Sequence, residues 1–105
     1  MDFNLASPTE VCLELGGRLK AARQTRSIQQ AELASRAGIS RNTLLALESH
    51  GQGSLATLVR VASALGIVDQ LQSLFITRID SIAQLEARAA PLPKRIRKPA
   101  RKTSP

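Results

Sequence analysis

In the stretch QQAELASRAGISRNTLLALES, which begins at Gln29, a small residue at Ala34 is followed four positions later by Gly38 and two positions after that by Ser40. Few backbones suit that order. Leu33 and Ala37 before the glycine, and Leu44 and Leu47 after it, recur at helical spacing, so the stretch reads as two short helices. Gly38 ends the first, because glycine takes the left-handed conformation without a Cβ penalty. Ser40 caps the second. Ala34 lets the two helices approach closely, while Leu33, Ala37, Ile39, Leu44 and Leu47 supply the shared core that fixes their crossing.

The remainder of the chain also favours helices. Sustained alternation of β-branched residues is missing, as are the Asn-Gly and Asp-Gly signals of hairpins. Ser7-Pro8-Thr9-Glu10 predicts a helix start, with Ser as cap, Pro at the first position and Glu three residues after the cap. Val11, Leu15, Leu19 and Ala22 give that helix one apolar face to about Thr25, interrupted by Gly16 and Gly17 at a cost of ~1 kcal/mol each relative to Ala. Ser27 and Gln30 form a second capping-box pattern, opening the helix that runs through Arg36. The helix capped by Ser40 runs to about Glu48, and SHGQG reads as a loop. Ser54 opens a fourth helix with Leu55, Leu58, Val61, Ala62 and Leu65 inward, stopped at Gly66. Asp69 opens a fifth, with Leu71, Leu74 and Phe75 apolar. The expectation is an all-α domain of five helices over residues 8–76, a short helical extension over 77–90, and a flexible basic tail over 91–105. The tail alternates Pro91, Pro93, Pro99 and Pro105 with bases and holds too little apolar surface to repay its ordering.

The formal charge of +7 is unevenly spread. Residues 91–105 carry six bases and no acid; residues 18–41 carry a net +5 from Arg18, Lys20, Arg23, Arg26, Arg36 and Arg41 against Glu32. A local excess of this kind suits a polyanion. With no Trp or Tyr and only Phe3 and Phe75, the stacking platforms of single-strand and RNA binders are missing. His50 and Cys12, the sole residues of their types, fall in different elements. No zinc spacing, Gly-rich phosphate loop or close carboxylate pair accompanies them, so neither an enzyme nor a metal or other cofactor is expected. A single cysteine excludes an internal disulfide. No apolar run approaches the roughly 18 residues of a membrane span. Asp2 stands where an export signal carries positive charge, and the expected compartment is the cytoplasm.

Residues Gln30 to Ser49 resemble the helix-turn-helix of the lambda repressor and Cro superfamily. The resemblance extends through SLATLVRVASALG and covers about residues 15–66. It implies a lambda-repressor-like DNA-binding domain whose third helix enters the major groove of double-stranded DNA with its first turn towards the bases. Arg41, Asn42 and Thr43 occupy that turn. Arg41 suits a bidentate pair with guanine and Asn42 with adenine. Leu45, one turn on, reads either as a contact to a thymine methyl or as a satellite of the core. Ala46 stands where the family often uses a longer, base-reading side chain.

Phosphate contacts position such a helix without specifying sequence. Gln30 matches a position that the family sets against the backbone. Gln29 stands where relatives usually have Thr, a better cap, for which Ser27 is the candidate substitute. Ser40, Gln52 and Ser54, at the starts of the third and fourth helices, complete the phosphate set. Arg18, Lys20 and Arg23 read as solvated surface, with longer-range attraction to DNA as the alternative.

A single recognition helix reads few base pairs, and family members of this size generally bind a palindromic operator as homodimers, half-sites ~34 Å apart. Leu71, Leu74 and Phe75 are the candidate dimer contact. The layout, with a small helix near LQSLF and a basic, proline-containing end, is similar to HipB-type antitoxins and to regulators encoded beside HipA-type kinase toxins. That similarity implies an autorepressor that engages a toxin. A stand-alone regulator and a helical interaction module that no longer reads DNA remain open. The tail reads as a solubilising end, a non-specific DNA clamp or a partner-docking segment.

Overall fold

The computed structural model describes residues 1–77. These comprise a compact unit, Met1–Leu74, and the first residues of a second that begins at Phe75. The extension beyond Thr77 and the tail over 91–105 lie outside the described residues.

Four α-helices build the unit: α1 (Pro8–Thr25), α2 (Gln30–Ala37), α3 (Arg41–His50) and α4 (Leu55–Ala64), with short 3-10 turns at Phe3–Leu5 and Val68–Leu71. No strand occurs among the described residues, and no described helix is long and apolar enough to cross a membrane. The start of α1 is the expected reciprocal cap. Ser7 Oγ accepts the Glu10 N–H at 3.1 Å, and Glu10 Oε1 accepts the Ser7 N–H at 2.8 Å. Ser40 and Ser54 cap α3 and α4 in the same register, accepting the N–H groups of Thr43 and Thr57 at 3.0 Å.

Three helix ends share one closure. After α1, α2 and α4 a residue turns left-handed (Ser27, Gly38 and Gly66), and the isoleucine behind it returns its N–H to a carbonyl five residues back. Ile28, Ile39 and Ile67 thereby pack against the core, the apolar contact that accompanies this type of helix stop.

The buried centre consists of Leu19 from α1, Leu33, Ala34 and Ala37 from α2, Leu44 and Leu47 from α3, and Val61, Ala62 and Leu65 from α4 and its cap. α1 packs on α3, α3 on α2, and α2 on α4. Gly16 lies where α1 crosses α3. A Cβ there would collide with the Leu47 carbonyl oxygen and stand 3.2 Å from its carbon, whereas a Cβ on Gly17 would meet nothing within 4 Å. The glycine pair is thus one requirement of packing and one tolerated irregularity.

Several expectations are corrected. The described residues contain four α-helices, not five: the apolar stretch after Gly66 forms only the 3-10 turn Val68–Leu71. Its flanking residue Ile67 makes no side-chain cap, and Asp69 lies inside the turn and not before it. Ser27 does not cap α2. With φ 56 it terminates α1, and α2 starts from Gln29, whose side chain makes no cap bond. His50 is the last residue of α3 and not part of a loop. Leu55, at the first position of α4, is 77% exposed, because the inward stripe begins only with Leu58.

Candidate nucleic-acid interface

Helix α3 turns Leu44 and Leu47 into the core and leaves Arg41, Asn42 and Leu45 exposed, Leu45 at 44%. Thr43 is half-buried. Its hydroxyl lies 2.8 Å from that of Ser40, so the two residues together have one hydroxyl proton left for a ligand. Arg41 shares an open cleft of about 450 Å³ with Arg23, Gln29, Gln30 and Ala31. The structure therefore brings Gln29, Gln30 and Arg41 to one place. Ser54 lies instead in a groove with Gly51 and Gly53 against Cys12, Leu15 and Gly16 of α1. Gln52 is exposed in the same loop.

Half of the bases in the 18–41 stretch are already engaged with acids. Arg18 pairs with Glu14 at 2.9 Å and stacks 5.2 Å from the Phe3 ring centroid, and Arg36 pairs with Glu32 on α2. Both pairs are exposed and contribute little to stability. Arg23 departs from its expectation as solvated surface: it is only 8% exposed and forks onto Glu48, itself 4% exposed. Arg23 Nε donates to Glu48 Oε2 at 2.7 Å, Arg23 Nη2 to Glu48 Oε1 at 3.0 Å, and Arg23 Nη1 to the Ile28 carbonyl at 2.9 Å. Gln30 Nε2 adds a further bond to Glu48 Oε1 at 3.1 Å. Among the described residues, Lys20, Arg26 and Arg41 have no acidic partner within 4 Å.

Neither Arg23 nor Glu48 was legible as part of this site, since 25 residues separate them and no local pattern joins them. The one available signal is Glu48 itself, an acid near the carboxyl end of a helix, where the helix dipole favours a cation.

The two short helices therefore carry a buried joint on one side and an open polar turn on the other. Residues 19–69, from the middle of α1 into the Val68–Leu71 turn, match the Helix-turn-helix family model. The chain carries a helix-turn-helix domain of the lambda repressor and Cro type. No curated protein is similar enough to the chain to add to that match. A helix-turn-helix domain of this kind is a double-stranded DNA-binding module of transcription regulators, with α2 and α3 as its paired helices. Leu71 and Leu74, expected at a dimer contact, line an apolar groove of the helix-turn-helix unit with Leu15, Leu19, Leu58 and Ile67. Phe75, the third of that set, belongs to the second unit.

Proposed function

We propose that this chain is a sequence-specific repressor that binds a palindromic operator as a homodimer. In this reading α3 lies in the major groove, Arg41, Asn42, Thr43 and Leu45 meet base edges, and Gln29, Gln30, Ser40, Gln52 and Ser54 meet phosphates. The observation that carries the reading is the exposed first turn of α3, where Arg41 is free of acidic partners among the described residues and Asn42 stands beside it. An interaction module has no need to keep that turn polar and open next to the cleft at Gln29 and Gln30. Each bidentate base contact is worth ~1–3 kcal/mol of discrimination.

Selection from a randomised duplex pool, followed by fluorescence anisotropy on the enriched sequence, tests the reading. The expected result is an inverted repeat bound specifically by the wild-type chain, with specificity lost on changing Arg41 and Asn42 together to Ala while circular dichroism is unchanged. Enrichment of no sequence would remove the repressor reading and leave the interaction module.

Leu71, Leu74 and Phe75 are proposed to join the two copies. Light scattering should give twice the chain mass at micromolar concentration, and a monomer there overturns the dimer. The finer role, autoregulation as the antitoxin of a HipA-type kinase toxin, draws its support from the sequence layout around LQSLF and the basic end. Co-expression with the product of the adjacent reading frame tests it: a stable complex supports the antitoxin role, and no complex leaves a stand-alone regulator.

A further inference from the structure

The geometry points to Glu48 as a positioning residue for DNA binding: its buried carboxylate holds the Gln30 amide in the orientation that presents an N–H to a phosphate, without touching DNA itself. This inference rests on the DNA-binding reading above.

Glu48 is an awkward choice for its place. It sits near the carboxyl end of α3, where the helix dipole opposes a negative charge, and burying an ion pair brings little net stability over apolar packing of similar volume. Stability alone therefore accounts poorly for it. Its bonding suggests another use. Oε2 is taken by Arg23 Nε, and Oε1 by both Arg23 Nη2 and Gln30 Nε2. Arg23 is fixed in turn by the Ile28 carbonyl, on the connector leading into α2. The carboxylate thus joins the end of α1, the connector, the first residue of α2 and the end of α3.

The consequence falls on Gln30. An amide side chain has a donor end and an acceptor end, and a phosphate accepts only from the donor. A carboxylate also accepts only. With Nε2 committed to Glu48, a flip of the amide would set its oxygen against the carboxylate, and the same nitrogen keeps a second N–H to donate on a residue that lines the cleft shared with Gln29 and Arg41. A free glutamine would pay rotamer entropy to reach that state; here it is set before DNA arrives.

The test uses the wild-type chain, Gln30→Ala, the paired replacement Arg23→Met with Glu48→Leu, and the triple combination, all on the duplex that the wild type selects. Replacing both charges together avoids stranding one of them. The wild type is expected to lose about tenfold in affinity on Gln30→Ala. The paired variant should stay folded, bind about tenfold more weakly, and lose almost nothing further on Gln30→Ala. Ethylation interference should show both changes removing the same phosphate contact in each half-site. A folded paired variant that binds like the wild type, or equal losses from Gln30→Ala in both backgrounds, overturns the inference while leaving DNA binding intact. Failure of the wild type to select any duplex defeats the DNA reading and this one with it. Should the paired variant fail to fold, side-chain amide relaxation in the free wild-type protein decides: a rigid Gln30 amide supports the positioning, and a mobile one overturns it.

Discussion

Gly16 on α1 faces the Leu47 carbonyl on α3 so closely that a Cβ has no room between them. The two helices meet backbone to backbone at this point, which fixes how near α3 lies to the longest helix of the unit. The neighbouring Gly17 faces open space. Gly16→Ala should destabilise the fold by about 3 kcal/mol through overpacking, while Gly17→Ala should stabilise it by about 1 kcal/mol through helix propensity. Urea denaturation of the two variants checks both signs.

The Arg23–Glu48 fork has almost no solvent around it. Arg23→Met alone leaves an unpaired carboxylate in the core and should cost about 3–5 kcal/mol, most of it recovered when Glu48→Leu is added. Thermal unfolding of the single and double variants measures this, and additive losses would show that the charges do not depend on each other.

Arg41 faces both the bases, in the proposed docking, and the cleft at Gln29 and Gln30. As a base reader, Arg41→Ala should relax preference at one guanine position and leave the slope of log K against log salt unchanged. A phosphate role would instead lower that slope by about 0.9 and spare the preference. Binding isotherms at several salt concentrations, on the selected duplex and on its guanine variants, separate the two.

Ser27 closes α1 in a conformation that glycine adopts at Gly38 and Gly66. A left-handed residue with a side chain costs about 1–2 kcal/mol, so Ser27→Gly should raise the thermal midpoint, with the Ile28 N–H bond to the Arg23 carbonyl retained. A fall in midpoint would mean that the serine hydroxyl stabilises the connector in some other way.

Most of the local grammar of this fold is written in the residues that carry it. Ser7 with Glu10, Ser40 and Ser54 announce their helices because a cap is a contact across three residues, and Leu33, Leu44 and Leu47 announce the core because helical spacing repeats. Ser27 misled because capping and chain reversal use the same kind of polar residue, and only the returning bond from Ile28 decides between them. The stretch from Asp69 misled because an aspartate ahead of apolar spacing reads as a helix opening, yet Asp69 lies inside the 3-10 turn Val68–Leu71, whose start has no side-chain cap. Within the candidate site, the exposure of Arg41, Asn42 and Leu45 follows from which neighbours face inward. The link from Glu48 to Arg23 and Gln30 does not, because it exists only once three helices have been brought together.

Gly51, left-handed at φ 62, ends α3 against the backbone of Cys12, where a Cβ would come within 2.6 Å of its carbonyl oxygen. With Gly16 against Leu47 further along the same seam, α3 is seated on α1 by main chain at two points, and neither depends on the side chains that project outward. The surface-facing residues of that helix can therefore be exchanged for others while the seat stays as it is. If α3 docks as proposed, a lineage built on this mount has a short mutational path to new target sequences, since changing the outward residues does not require re-engineering what holds the helix.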